Sequence, residues 1–351
     1  MQKRVKVLIV DDSALIRALL NEVLSSHPGI EVVGAATDPY EARELIKKFA
    51  PDVLTLDIEM PRMNGIAFLK NLMRLRPMPV VMISTLTQDG APATLEALAL
   101  GAVDFVPKPK NEGGGALELY RDVIVEKVLC AASANIAASA EASSFSDHIS
   151  GNRDLASSKK LKSQFICALG ASTGGTEAIK EVVLGLPENG PPIVIAQHIP
   201  EAFSASFARR VNSAAKMTVV EAKHNQKIEQ GSVYIAPGNA HLRVEARAGG
   251  YYCSLGRDDV INRHRPSVEA LFDSVTKAAG AKAMGIILTG MGSDGAAALL
   301  RMKQVGAVTV AQDEGSSVVW GMPGAAVKMG AASNILPLNK IGRYLLTNAF
   351  K

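Results

Sequence analysis

Cysteine is scarce in this 351-residue chain: only Cys130, Cys167 and Cys253 occur, odd in number and far apart. Their spacing argues against both a disulfide framework and a zinc site, and for a reducing compartment. Long apolar runs are missing too. None approaches the roughly 18 residues of a membrane span. The run after Lys3, Arg4 and Lys6 stops at Asp11, so no signal peptide is expected. The Gly170–Gly175 turn lacks G-x-G-x-x-G spacing and no clear ribose-binding acid follows the next strand, which argues against a dinucleotide site there; no helix-turn-helix signal or basic recognition stretch follows the linker, which argues against nucleic-acid binding. A soluble cytoplasmic protein with no membrane insertion is expected.

What is present is globular: 48% apolar and 21% charged residues, in a chain long enough for two domains. The net charge of +4 is unevenly spread. Residues 1–125 carry 14 basic and 16 acidic side chains, whereas residues 161–351 carry 20 basic and 14 acidic. The second half can favour an acidic partner surface, although solvated helix faces account for most such charges.

Residues 1–125 alternate strand and helix signals, the pattern of a parallel α/β sheet. Strands are expected at Val5–Val10, Glu31–Ala35, Val53–Leu56, Pro79–Ser84 and Ala102–Val106. Helices are expected at Ser13–Ser25, Glu41–Phe49 and Ala93–Leu100, the last capped by Gly101. Five alternating strands suggest a flavodoxin-like sheet with its ligands at the carboxyl ends of the strands. Asp11 and Asp12 end the first strand, Asp57 the third and Ser84 the fourth, and Lys108 follows the fifth. Three converging carboxylates need compensation, which a hard cation such as Mg²⁺ supplies. In that setting Asp57 attacks a phosphoryl donor, and Ser84 and Lys108 bind the product's oxygens. A single such aspartate is most often an N-cap. Five suitable residues in order are not.

With Asp11-Asp12, the segment Asp57-Ile58-Glu59-Met60-Pro61, Ser84, and Phe105-Val106-Pro107-Lys108-Pro109, the stretch Val5–Lys110 resembles a two-component receiver domain. The resemblance implies that Asp57 is the phosphorylated residue. It implies that Asp12 and the backbone carbonyl of Glu59 help hold Mg²⁺, with Asp11 alongside. Ser84 and Phe105 become the pair that moves on phosphorylation.

Residues 126–160 change character. Ala131–Ser144 is rich in Ala and Ser, and Ser157-Ser158-Lys159-Lys160 follows, so a flexible or partly helical tether is expected. A helix from Ala116 into Ala131 fits the spacing of Leu119, Val123 and Val128.

In residues 161–351 strand signals recur at Phe165–Leu169, Ile193–Ala196, Thr218–Ala222, Val233–Ala236, Tyr251–Leu255, Gly285–Leu288 and Ala307–Ala311. Helical patterns lie at Thr176–Leu184, Ser204–Ser213, Ser267–Ala279 and Gly295–Gln304. This reads as a second, mainly parallel doubly wound α/β sheet, with room for an antiparallel hairpin between Tyr234 and Leu255.

Gly170-Ala171-Ser172-Thr173-Gly174-Gly175 joins the first of these strands to a helix. Such a turn exposes a serine beside backbone N–H groups and the positive end of a helix, a setting for a nucleophile next to an oxyanion. It can equally cradle a phosphate or merely turn. A nucleophilic serine needs a base, and the base an orienting acid. His198 and Asp294 each sit just past a strand, as Ser172 does, with His241, His224 and His264 as rival bases. Asp294 could instead cap the helix starting at Gly295, and Met291 could be core. The order Ser, His, Asp differs from the Ser, acid, His order of α/β-hydrolases.

Gly170–Gly175 is one motif of a longer set: Gln197-His198-Ile199-Pro200, Ile235-Ala236-Pro237-Gly238, Arg263-His264-Arg265-Pro266-Ser267-Val268, Leu288–Gly295, Gln312-Asp313-Glu314 and Trp320-Gly321-Met322-Pro323. With these, residues 164–345 resemble the catalytic domain of the chemotaxis protein-glutamate methylesterases. The resemblance implies Ser172 as nucleophile, His198 as base and Asp294 as orienter, with Thr173 and Met291 lining the site, Met291 through its backbone N–H. It further implies hydrolysis of glutamate γ-methyl esters on chemoreceptor helices, glutamine deamidation as a second activity, and no cofactor in this domain. A histidine kinase would be the phosphodonor, and the unphosphorylated receiver would cover the Ser172 site. A monomer is expected. A phosphorylation-dependent docking module without catalysis is the alternative, against which the intact Ser172, His198 and Asp294 argue.

Overall fold

A strand covered on both faces needs an apolar side chain at every position. Val7, Leu8, Ile9 and Val10 are buried in succession in β1 (Val5–Val10). The fold is that of a computed structural model, which describes residues 3–84, 90–108, 114–136 and 160–351. Contacts divide the chain into two compact units, Met1–Ala137 and Ala138–Lys351.

In the first unit β1 is followed by α1 (Ala14–Ser25), β2 (Ile30–Ala36), α2 (Pro39–Phe49), β3 (Val53–Asp57), α3 (Gly65–Leu75), β4 (Val80–Ser84), α4 (Ala91–Ala99), β5 (Asp104–Pro107) and α5 (Gly114–Ala132). The five strands form one parallel sheet in the order β2-β1-β3-β4-β5, the expected flavodoxin-like arrangement. Side chains start the helices where the sequence offers them. Asp38 accepts from the N–H groups of Tyr40 and Glu41, and Asn64 from that of Ala67.

Two features depart from the sequence reading. Helix α3 fills an interval for which the sequence pattern predicts no helix. Its Asn64 cap and buried Phe68, Leu69 and Leu72 supply both the start and the apolar stripe. Helix α5, expected from Ala116 into Ala131, runs to Ala132 and so crosses residue 125, the expected end of the first domain. Ile124, Val128 and Ala131 are buried at helical spacing, so those residues belong to the first unit's core. The remaining tether residues, 137–159, lie outside the described residues, as do Pro109 and Lys110.

The second unit runs β6 (Ile166–Ala171), α6 (Gly175–Leu184), β7 (Ile193–Gln197), α7 (Glu201–Asn212), β8 (Thr218–Glu221), β9 (Lys227–Ile228), β10 (Ser232–Ile235), β11 (His241–Arg247), β12 (Gly250–Gly256), α8 (Val268–Ala279), β13 (Ala283–Ile287), α9 (Ala296–Gln304), β14 (Val308–Gln312), α10 (Met322–Lys328), β15 (Asn334–Leu336) and α11 (Leu338–Ala349). Seven strands make a parallel sheet in the order β15-β14-β13-β6-β7-β10-β8. The expected hairpin is β11–β12. It turns at Gly249 and Gly250, whose φ values of 91° and 135° favour glycine, and β9 completes a small antiparallel sheet. The sequence of crossovers reverses direction beside β6. Its neighbours are β7 on one side and β13 on the other, the place where α/β sheets open a crevice at their carboxyl ends.

Candidate active site

In the first unit Asp57 closes β3, 2% exposed, and Asp11, fully buried, follows β1. Lys108, just past β5, donates from Nζ to Asp57 Oδ2 at 2.7 Å and stands 3.2 Å from Asp11 Oδ2. Burial pushes the Asp57 carboxyl up to about 6, against the pull of Lys108, with the neighbouring Asp11 charge adding to the rise. Burial raises Asp11 as well. Burial alone would lower Lys108, but its bonds to Asp57 hold it above the ordinary lysine value.

Carboxylate oxygens of Asp11, Asp12 and Asp57 all lie within 4.8 Å of one another. Asp11 Oδ2 is buried and meets the Lys108 ammonium, at 3.2 Å, as an ion pair without good hydrogen-bond geometry. This donor set of oxygens, under-compensated by one lysine, fits a hard divalent cation. Asp57, Glu59 and Ser84 line one shallow cavity with Gly90 and Ala93. Gly65 lies so close to the Asp57 carbonyl that a Cβ there would overlap it, which holds the loop carrying Glu59 tight. Ser84 Oγ is 2.8 Å from Thr94 Oγ1, and Phe105 is 5% exposed. Lys127 of α5 donates to Asp104 Oδ1 at 2.6 Å and to the Phe105 carbonyl at 2.8 Å, with its ammonium 5.1 Å from the centre of the Phe105 ring.

In the second unit register brings Ser172 and His198 together. Ala171 pairs with Gln197 across β6 and β7, so Ser172 and His198 are the next residues on adjacent strand ends. On the other side of β6, the Ser172 N–H donates to the Thr289 carbonyl at 3.0 Å. That bond commits the N–H group of Ser172, narrowing the expectation of free donors around it. The loop after β13 then crosses directly over Ser172: a Cβ on Gly290 would lie 2.8 Å from Ser172 Cβ and 2.9 Å from its nitrogen. Met291 is the next residue. Thr173 is 5% exposed, and its carbonyl accepts from Thr289 Oγ1 at 3.0 Å. Gln197 Nε2 donates to the Ser172 carbonyl at 2.8 Å, and its Oε1 occupies the space a Cβ on Gly175 would need.

His198 Nε2 lies 2.9 Å from Asp294 Oδ2, and His198 Nδ1 is buried with no partner. An ionised carboxylate accepts and does not donate, so Nε2 carries the proton and Nδ1 the lone pair of the neutral ring. Asp294, 3% exposed, also accepts from Asn262 Nδ2 at 2.8 Å, Ser267 Oγ at 2.9 Å, and the N–H groups of Val268 at 2.7 Å and Glu269 at 3.3 Å. Burial would raise this carboxyl, but His198 and the other donors bring it down to about 2. Asp294 does not cap the helix that follows it. The N-cap of α9 is Gly295, without a side-chain bond; Asp294 receives the first N–H groups of α8 instead.

The same layout is matched by known sequences. Residues 167–345 match the family model described as CheB methylesterase, and residues 7–114 the response regulator receiver domain. The chain belongs to the CheB methylesterase family. A protein-glutamate methylesterase/protein-glutamine glutaminase of Saccharophagus degradans is 61% identical over 349 residues, covering 99% of this chain and all of that one. One from Vibrio vulnificus is 51% identical over 346 residues, covering 98% of each. The crystal structure of the Thermotoga maritima CheB methylesterase catalytic domain is 37% identical with a TM-score of 0.52, covering 53% of this chain and 99% of that one.

Within this methylesterase two further residues, His264 and Asn262, meet the site. His264, weighed as a rival base, stacks on His198 with ring centres 3.6 Å apart and planes 6° from parallel. Asn262 links the same loop to Asp294. Of the other rivals, His241 is fully buried and bonds the Asp259 carbonyl and the Ser267 N–H, and His224 accepts from the Leu255 N–H. The motif around Arg263–Ser267 marked the segment; which side chain faced the site was not readable from it.

Proposed function

We propose that this chain hydrolyses glutamate γ-methyl esters on the cytoplasmic helices of chemoreceptors, releasing methanol, under control of phosphorylation at Asp57. The observation that carries the reading is the state of His198. Its Nε2–H is fixed on Asp294, and its Nδ1 lone pair lies unpartnered at the strand end next to Ser172.

Ser172 is the nucleophile. His198 Nδ1 takes its proton as Oγ attacks the ester carbonyl, and Asp294 stabilises the imidazolium that forms. The Met291 N–H, carried over Ser172 by Gly290, donates to the tetrahedral oxyanion, and Thr173 lines the pocket; one such donor is worth about 10²–10³ in rate. The C–O bond breaks as His198 returns its proton to the departing methoxide. Water, deprotonated by the same nitrogen, then opens the acyl-enzyme to leave the glutamate. A side-chain amide follows the same course with ammonia leaving, which gives glutamine deamidation as a second activity.

In the first unit Asp57 accepts the phosphoryl group from a histidine kinase. Asp11, Asp12, Asp57 and the Glu59 carbonyl would hold Mg²⁺, which when bound neutralises charge on the phosphoryl oxygens. Lys108 and Ser84 bind those oxygens, and Ser84 and Phe105 shift together. A coupling of about 1–3 kcal/mol changes activity roughly 5–150-fold. The chain is read as a cytoplasmic monomer; among the described residues no helix is long and apolar enough to cross a membrane. The test is methanol release from methylated receptors with and without a small phosphodonor. A Ser172→Ala protein that kept the wild-type rate would overturn the nucleophile. An unchanged phosphodonor response in Asp57→Asn would overturn the control.

A further inference from the structure

Two hydrogen bonds close a tight turn between Ile261 and His264: the N–H of each donates to the carbonyl of the other, at 3.1 and 2.9 Å. The two residues of the turn, Asn262 and Arg263, have φ values of 52° and 66°. Positive φ at both positions makes it a type I′ turn, in which asparagine suits the first position and glycine the second. Asn262 fits, because its short amide tolerates the left-handed region, and that amide is committed to Asp294 Oδ1 at 2.8 Å. Arg263 stands where glycine belongs. Its Cβ is crowded by the following carbonyl in that conformation. Its side chain is exposed, and among the described residues nothing pairs with its guanidinium.

The turn is fixed to the proposed catalytic groups on both sides of Arg263. Asn262 holds Asp294, and His264 lies on the His198 ring with centres 3.6 Å apart. Two other charges of the loop are committed elsewhere. Arg265 donates to the Arg257 and Asp258 carbonyls at 3.1 and 3.0 Å, and the Asp258 carboxylate pairs with Arg243. A strained backbone thus carries an unpaired cation to the edge of the site.

Resting on the esterase reading above, we propose that Arg263 is a specificity residue whose guanidinium binds a carboxylate on the substrate helix, about one turn from the esterified glutamate. A guanidinium pairs with a planar carboxylate through two parallel N–H donors. Side chains three or four residues apart on a helix stand about 5–6 Å from one another. A helix that presents its ester to Ser172 therefore carries the neighbouring side chain past the rim that this turn forms. Carboxylates are the groups such a helix gains, since each ester hydrolysed and each glutamine deamidated leaves one. The excess of 20 basic over 14 acidic side chains in residues 161–351 favours the same partner at longer range. The Arg263 guanidinium bonds none of Ser172, His198 and Asp294, so it acts on substrate binding and not on the chemical step.

The experiment uses the full chain with millimolar Mg²⁺ and a small phosphodonor, and two synthetic helical peptides that each carry one glutamate γ-methyl ester. The residues four positions either side of the ester are Glu in one peptide and Ala in the other. Binding is read by fluorescence anisotropy on the Ser172→Ala protein, and kcat and KM from methanol release by the protein that keeps Ser172. At low salt the Glu peptide should bind about fivefold more tightly, the scale of a well-formed exposed ion pair. KM should carry the difference while kcat stays constant, and salt should erode it. Arg263→Gly should abolish the preference, keep kcat on the Ala peptide and melt no lower than the wild type, because glycine suits the turn. Arg263→Lys should keep part of the preference, and Arg257→Gln, which removes the same charge elsewhere on the loop, should keep all of it. Equal binding of the two peptides by the chain with Arg263, or failure to bind either, overturns the proposal. So does an Arg257→Gln protein that loses the preference as fully as Arg263→Gly. An Arg263→Gly protein that melts lower or loses kcat also overturns it, since Arg263 would then serve the turn itself. Peptides that bind with the Glu preference yet release no methanol overturn the esterase reading alone.

Discussion

Asp294 joins two tasks in one carboxylate: Oδ2 receives His198 Nε2 at 2.9 Å and the Val268 N–H at 2.7 Å. The residue that orients the imidazole is also the anion at the start of α8, so the ring is referenced to a helix packed in the core. An amide in its place can still accept from Val268 but can present an N–H to His198, which favours the wrong tautomer. Asp294→Asn is expected to lower kcat for methanol release by about 10⁴, the scale seen for the equivalent change in a serine protease triad. KM should change far less. A full-rate Asn variant would show that tautomer control is not Asp294's contribution.

The same carboxylate ties stability to acid. Its folded-state value of about 2 lies below the ordinary 3.8, so ionised Asp294 stabilises the fold above about pH 4, and that stabilisation is lost as pH falls through 2. The loss amounts to about 2 kcal/mol. Denaturant melts of the wild type between pH 4 and pH 2 should show an acid-labile component of this size that is missing in Asp294→Asn.

Gly290 is held by contact on every side. A methyl group there would meet Ser172 Cβ at 2.8 Å, the Ser172 nitrogen at 2.9 Å and Met322 Sδ at 2.5 Å. Sulfur at the end of a methionine can yield, but the Ser172 backbone nitrogen, just past β6, cannot. Gly290→Ala is expected to cost about 1–3 kcal/mol and to push the Met291 N–H off the oxyanion position, lowering kcat about 10²-fold. Thermal unfolding and initial rates test both halves. A stable variant with a wild-type rate would remove Met291 as the donor.

Those contacts mark what could and could not be read from the chain. Asp57, Ser172 and His198 were legible because each ends an apolar run, and a parallel sheet gathers strand ends at one edge whatever the details. The hairpin at Gly249-Gly250 was legible for want of a helical period. Helix α3 escaped because its stripe of Phe68, Leu69 and Leu72 is short and follows a loop of Met, Pro and Gly residues. The donors to Asp294 escaped for a different reason. Asn262, Ser267, Val268 and Glu269 lie 25 to 32 residues before it and meet it only because α8 packs with its first turn toward β13. A local reading saw Gly295 next door and offered the nearest helix. The stack of His264 on His198 is likewise a product of two loops folding over one another.

Lys127 of α5 reaches β5 at Phe105, the residue proposed to shift with Ser84. Its ammonium bonds Asp104 and the Phe105 carbonyl and faces the Phe105 ring. Lys127→Met keeps the aliphatic stem but takes the ammonium away from the buried Asp104 carboxylate, which still accepts from the Phe105 N–H. The first unit should lose about 1–3 kcal/mol, read as the earlier of two denaturation transitions. Phosphodonor stimulation of methanol release should shrink as Phe105 loses its hold. Stimulation equal to the wild type's would leave Lys127 a structural residue only.

Asp57 behaves in the opposite sense to Asp294. Its folded-state value of about 6 lies above the ordinary 3.8, so the folded chain binds the proton more tightly than the unfolded one. The stabilisation is fully present below about pH 4 and is lost as pH rises through 6, with Asp11 raised in the same direction. Above pH 7 the ionised cluster destabilises the first unit by up to about 3 kcal/mol, relative to an unperturbed carboxyl. Three interventions should relieve it: acid, a divalent cation, or removal of the charge. In chelator at pH 8, Asp57→Asn should melt higher than the wild type, and millimolar Mg²⁺ should raise the wild type far more than the variant. At pH 4.5 the two proteins should converge. A wild type whose first transition ignores Mg²⁺ at pH 8 would mean that Lys108 alone compensates Asp11 and Asp57, and that these carboxylates are not a cation site.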